Sequence, residues 1–360
     1  MSDTLNRDEL FTGTMPVAER QRFDVAALES YLSAQVDGFA GPMTVEQFKG
    51  GQSNPTFKLI TPRKTYVLRS KPGPAARLLA SAHAVDREFR VMSGLSGSEV
   101  PVATMYCLCE DESVIGRAFY VMAFVDGRVL WDPQLPGMTP EQRAAIFDEM
   151  NRVKAALHKV DFAAAGLSDY GKHDGYLARQ IARWGKQYRA SETESIPAMD
   201  ALIEWLPAHI PAGEETSIVH GDYRLDNVIF HATEPRILAV LDWELSTLGH
   251  PLADFAYHCM TWYLPPGAGR GLGGIDLTGT GIPTVQEYIA RYCGRTGRQD
   301  GIPNFKFYMA YNMFRMAGIL QGIMKRVVDG TAASAQAVAM GKSTRPIAEQ
   351  GWAVAKQITV

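Results

Sequence analysis

The chain has 360 residues, 46% of them hydrophobic and 21% charged, an ordinary globular balance that excludes wholesale disorder and suits one large or two medium domains. A formal net charge of −3 provides no general attraction for nucleic acid or an anionic membrane, so the expected partner is a small molecule. Cys107, Cys109, Cys259 and Cys293 are too scattered for a disulfide framework, the first residues form no apolar signal segment, and no uncharged apolar run reaches about 18 residues, so a soluble, cytoplasmic protein is expected.

In chain order, residues 24–39 carry apolar side chains at helical spacing and predict a leading helix. Three short β-type segments follow at 44–48, 56–60 and 65–69, separated by Gly-Gly-Gln-Ser-Asn-Pro and by Pro62-Arg63-Lys64, which reads as an antiparallel meander. A helical pattern over 83–95 and two strands at 104–109 and 118–124 complete a small βββαββ unit that ends at Asp126-Gly127. From Pro140 the pattern turns helical, over 141–160, 175–189 and 198–209, and is interrupted by apolar strands at 217–219, 228–230 and 237–241. Helices are expected again over 252–264, 285–293, 305–328 and 347–358, with a Gly- and Pro-rich loop at 265–281. The predicted division is an N-terminal lobe, 1–126, with a five-stranded sheet and one helix behind the leading helix, and a C-terminal helical lobe, 127–360.

The interruption carries the chemistry. Ile218-Val-His-Gly-Asp222-Tyr-Arg-Leu-Asp-Asn227 and Leu241-Asp242-Trp243-Glu244 are two polar clusters, each emerging from an apolar strand. Phosphoryl transfer needs a carboxylate to orient the acceptor hydroxyl and take its proton, together with oxygen ligands for the Mg²⁺ on the nucleotide phosphates. Asp222, then Asn227 five residues on, then Asp242 after the next strand pair, supply that set. Asn227 offers a carbonyl oxygen to a hard cation without placing a second charge beside the base.

On these residues the chain resembles the aminoglycoside phosphotransferase and choline kinase superfamily, whose two-lobed kinase-like α+β fold it is expected to share over nearly its whole length. The resemblance implies an ATP- and Mg²⁺-dependent small-molecule kinase with Asp222 as catalytic base and Asn227 and Asp242 as metal ligands. It assigns Gly50-Gly51-Gln52-Ser53-Asn54 to the phosphate-covering loop, Arg69 to the strand basic residue, Glu88 to that residue's partner, and Met122 and Phe124 to the hinge strand whose backbone meets the adenine. Arg69 stands where many kinases carry Lys; it presents a planar fork in place of a point charge, and Lys58 and Lys71 are alternative phosphate contacts. Leu157-His158-Lys-Val-Asp161 fits the same superfamily, and Leu248-Gly249-His250-Pro251-Leu-Ala-Asp254 is similar to the kinase-like domain fused to some acyl-CoA dehydrogenases, which implies a hydroxyacyl-CoA acceptor. Only eleven residues separate Asp242 from Asp254, too few for the activation segment with which protein kinases hold a peptide.

The competing readings are an aminoglycoside or choline-type kinase and, in another class, a nucleotide-binding module without catalysis, suggested by Arg69 in place of Lys. Lys306, Arg315, Lys325 and Arg326 in the closing helices lean towards an anionic substrate. His220 and Asp254 read as supports of the catalytic turn, and Glu244 as a secondary ligand. His250, Asp254 and His258 recur at four-residue spacing, but Pro251 makes capping and core roles the better reading than zinc. Gly269-Arg-Gly271-Leu-Gly-Gly274 lacks the strand a dinucleotide fingerprint requires and reads as a flap, while Gly341-Lys342-Ser343-Thr344 lacks the first glycine of a P-loop.

Overall fold

The structure is a computed structural model that describes residues 12–49, 54–72, 84–266, 271–331 and 335–358. In chain order its elements are β1 (Thr14–Met15), α1 (Val25–Gln35), β2 (Thr44–Phe48), β3 (Thr56–Ile60), β4 (Thr65–Ser70), α2 (Val85–Leu95), β5 (Met105–Cys109), β6 (Phe119–Ala123), α3 (Pro140–Lys159), α4 (Tyr176–Ser191) and α5 (Pro197–Ala208). They continue with β7 (Ser217–Val219), β8 (Val228–Phe230), β9 (Ile237–Val240), β10 (Thr247–Gly249), α6 (Pro251–Cys259), α7 (Val285–Thr296), α8 (Phe305–Val328), α9 (Ala335–Lys342) and α10 (Thr344–Ala355), with short 3₁₀ turns between them.

The chain forms two compact units, and the boundary differs from the single one read from sequence. The first unit is Met1–Trp131 with Phe162–Tyr170 and Leu225–Ser246; the second is Asp132–Asp161, Gly171–Arg224 and Thr247–Val360. The physical reason lies at Arg128, whose N–H donates to the Phe230 carbonyl at 2.8 Å while the Phe230 N–H donates back at 2.8 Å, and at Val240, whose N–H donates to the Pro101 carbonyl at 2.9 Å. These bonds dock the β8–β9 hairpin on the N-terminal unit. Gly127 permits the approach, because a Cβ there would lie 2.3 Å from the Phe230 carbonyl oxygen.

In the first unit the antiparallel sheet has six strands in the order β1-β2-β3-β4-β6-β5. The expected five are joined by β1, a two-residue edge strand whose Thr14 and Met15 pair with Phe48 and Gln47, too short to leave a periodic signal. Alternation along β3 and β4 sends Phe57, Leu59, Tyr66 and Leu68 into a core shared with Leu28 and Leu32 of α1 and with Phe119 and Val121. The opposite face receives Lys58, Val67, Arg69, Tyr120 and Met122, which the register sets side by side. Asp24 caps α1 by accepting the Ala27 N–H at 3.0 Å. The helix stops at Gln35, shorter than the apolar pattern suggested, because Val36 turns extended and Gly38 adopts φ +74°.

In the second unit α8 is the central helix, occupying the whole span read from sequence, with Phe307, Met309, Tyr311, Met313, Phe314 and Ala317 buried. Reciprocal capping boxes start α3 (Thr139 with Gln142) and α7 (Thr284 with Glu287), each Thr→Ala change costing about 1 kcal/mol. A two-stranded ladder of β10 on β7 sets the base of the turn that carries Asp222. The chain closes with two helices, α9 and α10, where sequence gave one over 347–358; Gly341 and Thr344 lie at their junction, with the Thr344 hydroxyl donating to the Gly341 carbonyl at 2.7 Å. In the loop after α6, residues 267–270 fall outside the described set, but the described part is packed and is not a free flap: Leu272 is buried and its N–H donates to Thr261 at 2.7 Å. Among the described residues no helix is long and apolar enough to cross a membrane.

Candidate functional site

The first unit carries the candidate metal and phosphate residues. The β8–β9 ladder pairs Val228 with Val240, so Asn227, just before β8, and Leu241-Asp242, just after β9, stand at the same end. The Leu241 N–H donates to the Asn227 carbonyl at 2.8 Å and locks that end. Asp242 has φ +62° and ψ +61°, a left-handed conformation that Asp tolerates at a cost of about 1 kcal/mol and that is concentrated at functional sites. Its side chain is 35% exposed, leaving carboxylate oxygen accessible.

Arg69 gathers the neighbouring carboxylates. Its Nη2 lies 2.9 Å from Asp242 Oδ1 and 3.7 Å from Glu244 Oε2, and its Nε lies 2.9 Å from Glu88 Oε2. Glu88, on α2, is buried and also accepts the Asn54 side-chain amide at 2.9 Å and the Tyr120 hydroxyl at 3.1 Å. Burial raises the Glu88 carboxyl above its ordinary range, and the Arg69 charge opposes that rise. Burial likewise works against the Arg69 guanidinium, but Glu88 and then Tyr120, Asp242 and Glu244 outweigh it and hold the charge.

Asn54, Arg69, Glu88 and Asp242 therefore form one connected cluster. Ser53, like Gly50 to Gln52, lies outside the described residues. Lys58 is elsewhere on the same sheet face, its Nζ 4.7 Å from the Phe124 ring centroid, and the Lys71 N–H closes the sheet on the Ala118 carbonyl at 3.0 Å. Met122 pairs with Val67 on one side and Met105 on the other, and the Phe124 N–H donates to Thr65 at 3.4 Å. The sheet thus uses backbone groups that sequence reasoning had assigned to the adenine.

The second unit carries Asp222 on the turn after β7. The Tyr257 hydroxyl of α6 donates to its Oδ1 at 2.6 Å. The Arg224 fork spans the same carboxylate, with Nε 2.9 Å from Oδ1 and Nη2 donating to Oδ2 at 3.1 Å. The Asp222 N–H donates to His220 Nδ1 at 3.2 Å, so the fully buried His220 holds the backbone. From α8, Arg315 Nη2 donates to the Gly221 carbonyl at 2.9 Å.

Beneath the turn, Asp254 accepts the His220 N–H at Oδ2 and the Gly221 N–H at Oδ1, both at 2.9 Å. Its Oδ2 is also met by the Lys154 ammonium and by His158 Nε2, the latter at 3.1 Å. Burial pushes His158 down to about 4, so the ring is neutral, donates through Nε2 and accepts the Tyr292 hydroxyl at Nδ1 (2.7 Å). Burial opposes the charge on Asp254, but Lys154 and His158 outweigh it and hold its carboxyl well below the usual carboxylate range.

The zinc alternative dissolves into these roles. His250 caps α6 through Leu252, and His258 lies between the Tyr223 carbonyl (3.2 Å) and the Tyr288 hydroxyl (2.8 Å). Among the described residues no group of three or more His, Cys, Asp or Glu side chains could hold a metal. Asn227 and Asp242 suit Mg²⁺ instead: both offer hard oxygen, and Mg²⁺ is ordinarily held by one or two carboxylates together with substrate phosphates and water.

Sequence reasoning missed Tyr120, Lys154, Arg224, Tyr257 and Arg315. Lys154 and His158 had a signal, a polar pair four residues apart on an otherwise apolar helix face. Arg315, grouped by sequence with Lys306, Lys325 and Arg326 as favouring an anionic substrate, is 7% exposed and donates to the Gly221 carbonyl; Lys325 is paired with Asp329 at 2.7 Å.

Residues 44–289 match the phosphotransferase enzyme family. Acyl-CoA dehydrogenase family member 10 of Mus musculus is 48% identical over 342 residues, which are 94% of this chain and 32% of that relative. The chain thus spans about a third of that relative's length. A crystal structure from Ralstonia eutropha JMP134, assigned as an aminoglycoside phosphotransferase, is 63% identical with a TM-score of 0.87, covering 93% of this chain and 99% of that one. A thermostable mutant of aminoglycoside phosphotransferase APH(4)-Ia, solved with AMP-PNP and hygromycin B, shares the fold at 16% identity and a TM-score of 0.59, over 91% of this chain and 98% of that one.

Proposed function

The chain belongs to the phosphotransferase enzyme family, and we propose that it transfers the γ-phosphoryl group of ATP to the hydroxyl of a hydroxyacyl-CoA. The observation that carries the chemistry is the pairing of Asn227 and Asp242 at one locked end of the β8–β9 ladder, with Asp222 five residues before Asn227. Asp222 positions the acceptor hydroxyl and takes its proton; the oxygen attacks the γ-phosphorus, and the bond to the β–γ bridging oxygen breaks to release ADP. Tyr257 and Arg224 orient the Asp222 carboxylate for that task. Asn227 and Asp242 would hold Mg²⁺, which supplies charge neutralisation at the phosphates. Arg69, whose Nε meets Glu88 and whose Nη2 meets Asp242, would offer its remaining N–H groups to the phosphates, as would Ser53 its hydroxyl. Met122 and Phe124 line the base, and the base-edge hydrogen bonds fall to the backbone from Val125 onward, because the Ala123 and Phe124 amides are already donated within the sheet.

The acyl-CoA acceptor is supported by the 48% identity to a chain named for acyl-CoA dehydrogenase. Four free, buried thiols suit a reducing, cytoplasmic compartment. The test is phosphoester formation, followed by phosphorus NMR and mass spectrometry, from ATP, Mg²⁺ and a panel of 3- and 4-hydroxyacyl-CoAs, aminoglycosides and choline-like alcohols. Product on the hydroxyacyl-CoAs alone is expected. Product only on an aminoglycoside or choline would move the acceptor class, and nucleotide binding without transfer to any of them would favour a module without catalysis.

A further inference from the structure

We propose that Lys154 is a positioning residue of the catalytic turn: its ammonium fixes the Asp254 carboxylate that grips the two backbone amides immediately ahead of Asp222. The inference rests on the reading of Asp222 as the base. Lysine is almost never fully buried unless paired, and here the Lys154 side chain is 0% exposed and the Asp254 side chain 1%. Lys154 and His158 stand one turn apart on α3 and reach the same carboxylate oxygen. With His158 neutral, Lys154 supplies the cationic charge from that helix.

The geometry gives that charge a task beyond neutralisation. A buried ion pair can often be replaced by neutral groups without loss of stability. Asp254, however, accepts one backbone N–H at each oxygen, from His220 and Gly221, and hydrogen bonds to an ionised acceptor are roughly twice as strong as neutral ones. Gly221 is held at φ +82°, a local conformation with little intrinsic preference of its own, and the two anchored amides pin it. On its other side the ammonium lies 4.9 Å from the ring centroid of Tyr223, the residue that follows Asp222. Lys154 therefore meets the turn on both flanks of the base, through Asp254 before it and through Tyr223 after it.

The test is hydrogen–deuterium exchange by mass spectrometry on the full chain, comparing wild type with Lys154→Met and with Lys154→Met/Asp254→Asn. The double variant removes the uncompensated buried charge in case the single variant does not fold. In the folded variants, exchange in the peptide spanning residues 217–224 should rise about tenfold or more, while α8 keeps its wild-type protection. Turnover should fall with nucleotide affinity unchanged. Wild-type exchange in that peptide, or acceleration spread evenly over α3, α6 and α8, would overturn the proposal, since the ammonium would then act on stability alone. If the wild type transfers phosphate to no acceptor, the proposed reaction fails while the exchange result still decides the role of Lys154.

Discussion

The Tyr257 hydroxyl donates to Asp222 Oδ1 at 2.6 Å, from a ring that is itself buried on α6 and lies 5.0 Å from the Arg315 guanidinium. A hydroxyl so held fixes the direction of the carboxylate, and a hydrogen bond to a charged group is worth about 1.5–3 kcal/mol. Tyr257→Phe keeps the ring and loses only that bond. Turnover should fall roughly 10- to 100-fold with nucleotide affinity unchanged, as read by steady-state kinetics beside calorimetric titration; equal turnover would remove Tyr257 from the positioning of Asp222.

Arg69 and Glu88 are a buried pair, with side chains 11% and 2% exposed. Arg69→Met leaves the Glu88 carboxylate without its cation and should cost about 3–5 kcal/mol in urea unfolding. Arg69→Lys keeps a charge but not the fork that reaches Glu88 and Asp242 together, so its loss should be smaller. A Met variant as stable as wild type would mean that Tyr120 and Asn54 alone sustain Glu88.

Asp242 is the more exposed member of the candidate metal pair. Asp242→Ala should weaken ATP binding in the presence of Mg²⁺ and leave binding in EDTA nearly as it was, because the lost oxygen serves the cation and not the base. Calorimetry with and without EDTA reads this directly, and an equal change under both conditions would point to the loss of Arg69's partner instead.

The buried histidines make stability depend on pH. His158 and His258 are pushed down by burial to about 4 and about 3, and His250 is lowered in the same way. Below about pH 6.5 the unfolded chain binds protons at these rings while the folded chain does not, so stability falls as pH drops from there towards 4. Between pH 7 and 5 the loss should be on the order of 3 kcal/mol, seen as a lower urea midpoint. The depressed Asp254 carboxyl adds its loss only at more acid pH. Midpoints that match at pH 7 and 5 would mean that these rings are protonated in the folded chain.

Where local pattern dictated structure, it was legible. The alternation of Phe57 with Leu59 and of Tyr66 with Leu68 predicts the meander, and the apolar periodicity of α8 spans both its ends. The two-residue β1 is too short to show any period, and β10 follows Asp242-Trp243-Glu244 with little more. The docking of the β8–β9 hairpin rests on Arg128–Phe230 and Val240–Pro101 backbone bonds, which no side-chain pattern encodes. At the candidate site, Asp222, Asn227 and Asp242 were visible because their spacing is itself chemical. Tyr257 and Arg315 were not, because each sits in a helix whose apolar stripe reads as core, and Lys154 left only its four-residue spacing from His158.

Asp222→Asn is the most direct probe of the proposed chemistry, since it preserves shape and removes only the capacity to take a proton. Turnover on the accepted hydroxyl substrate and the nucleotide dissociation constant should be measured together on one preparation. Turnover is predicted to drop by a factor on the order of 10²–10⁴ with nucleotide affinity intact; wild-type turnover in the variant would show that Asp222 is not the base.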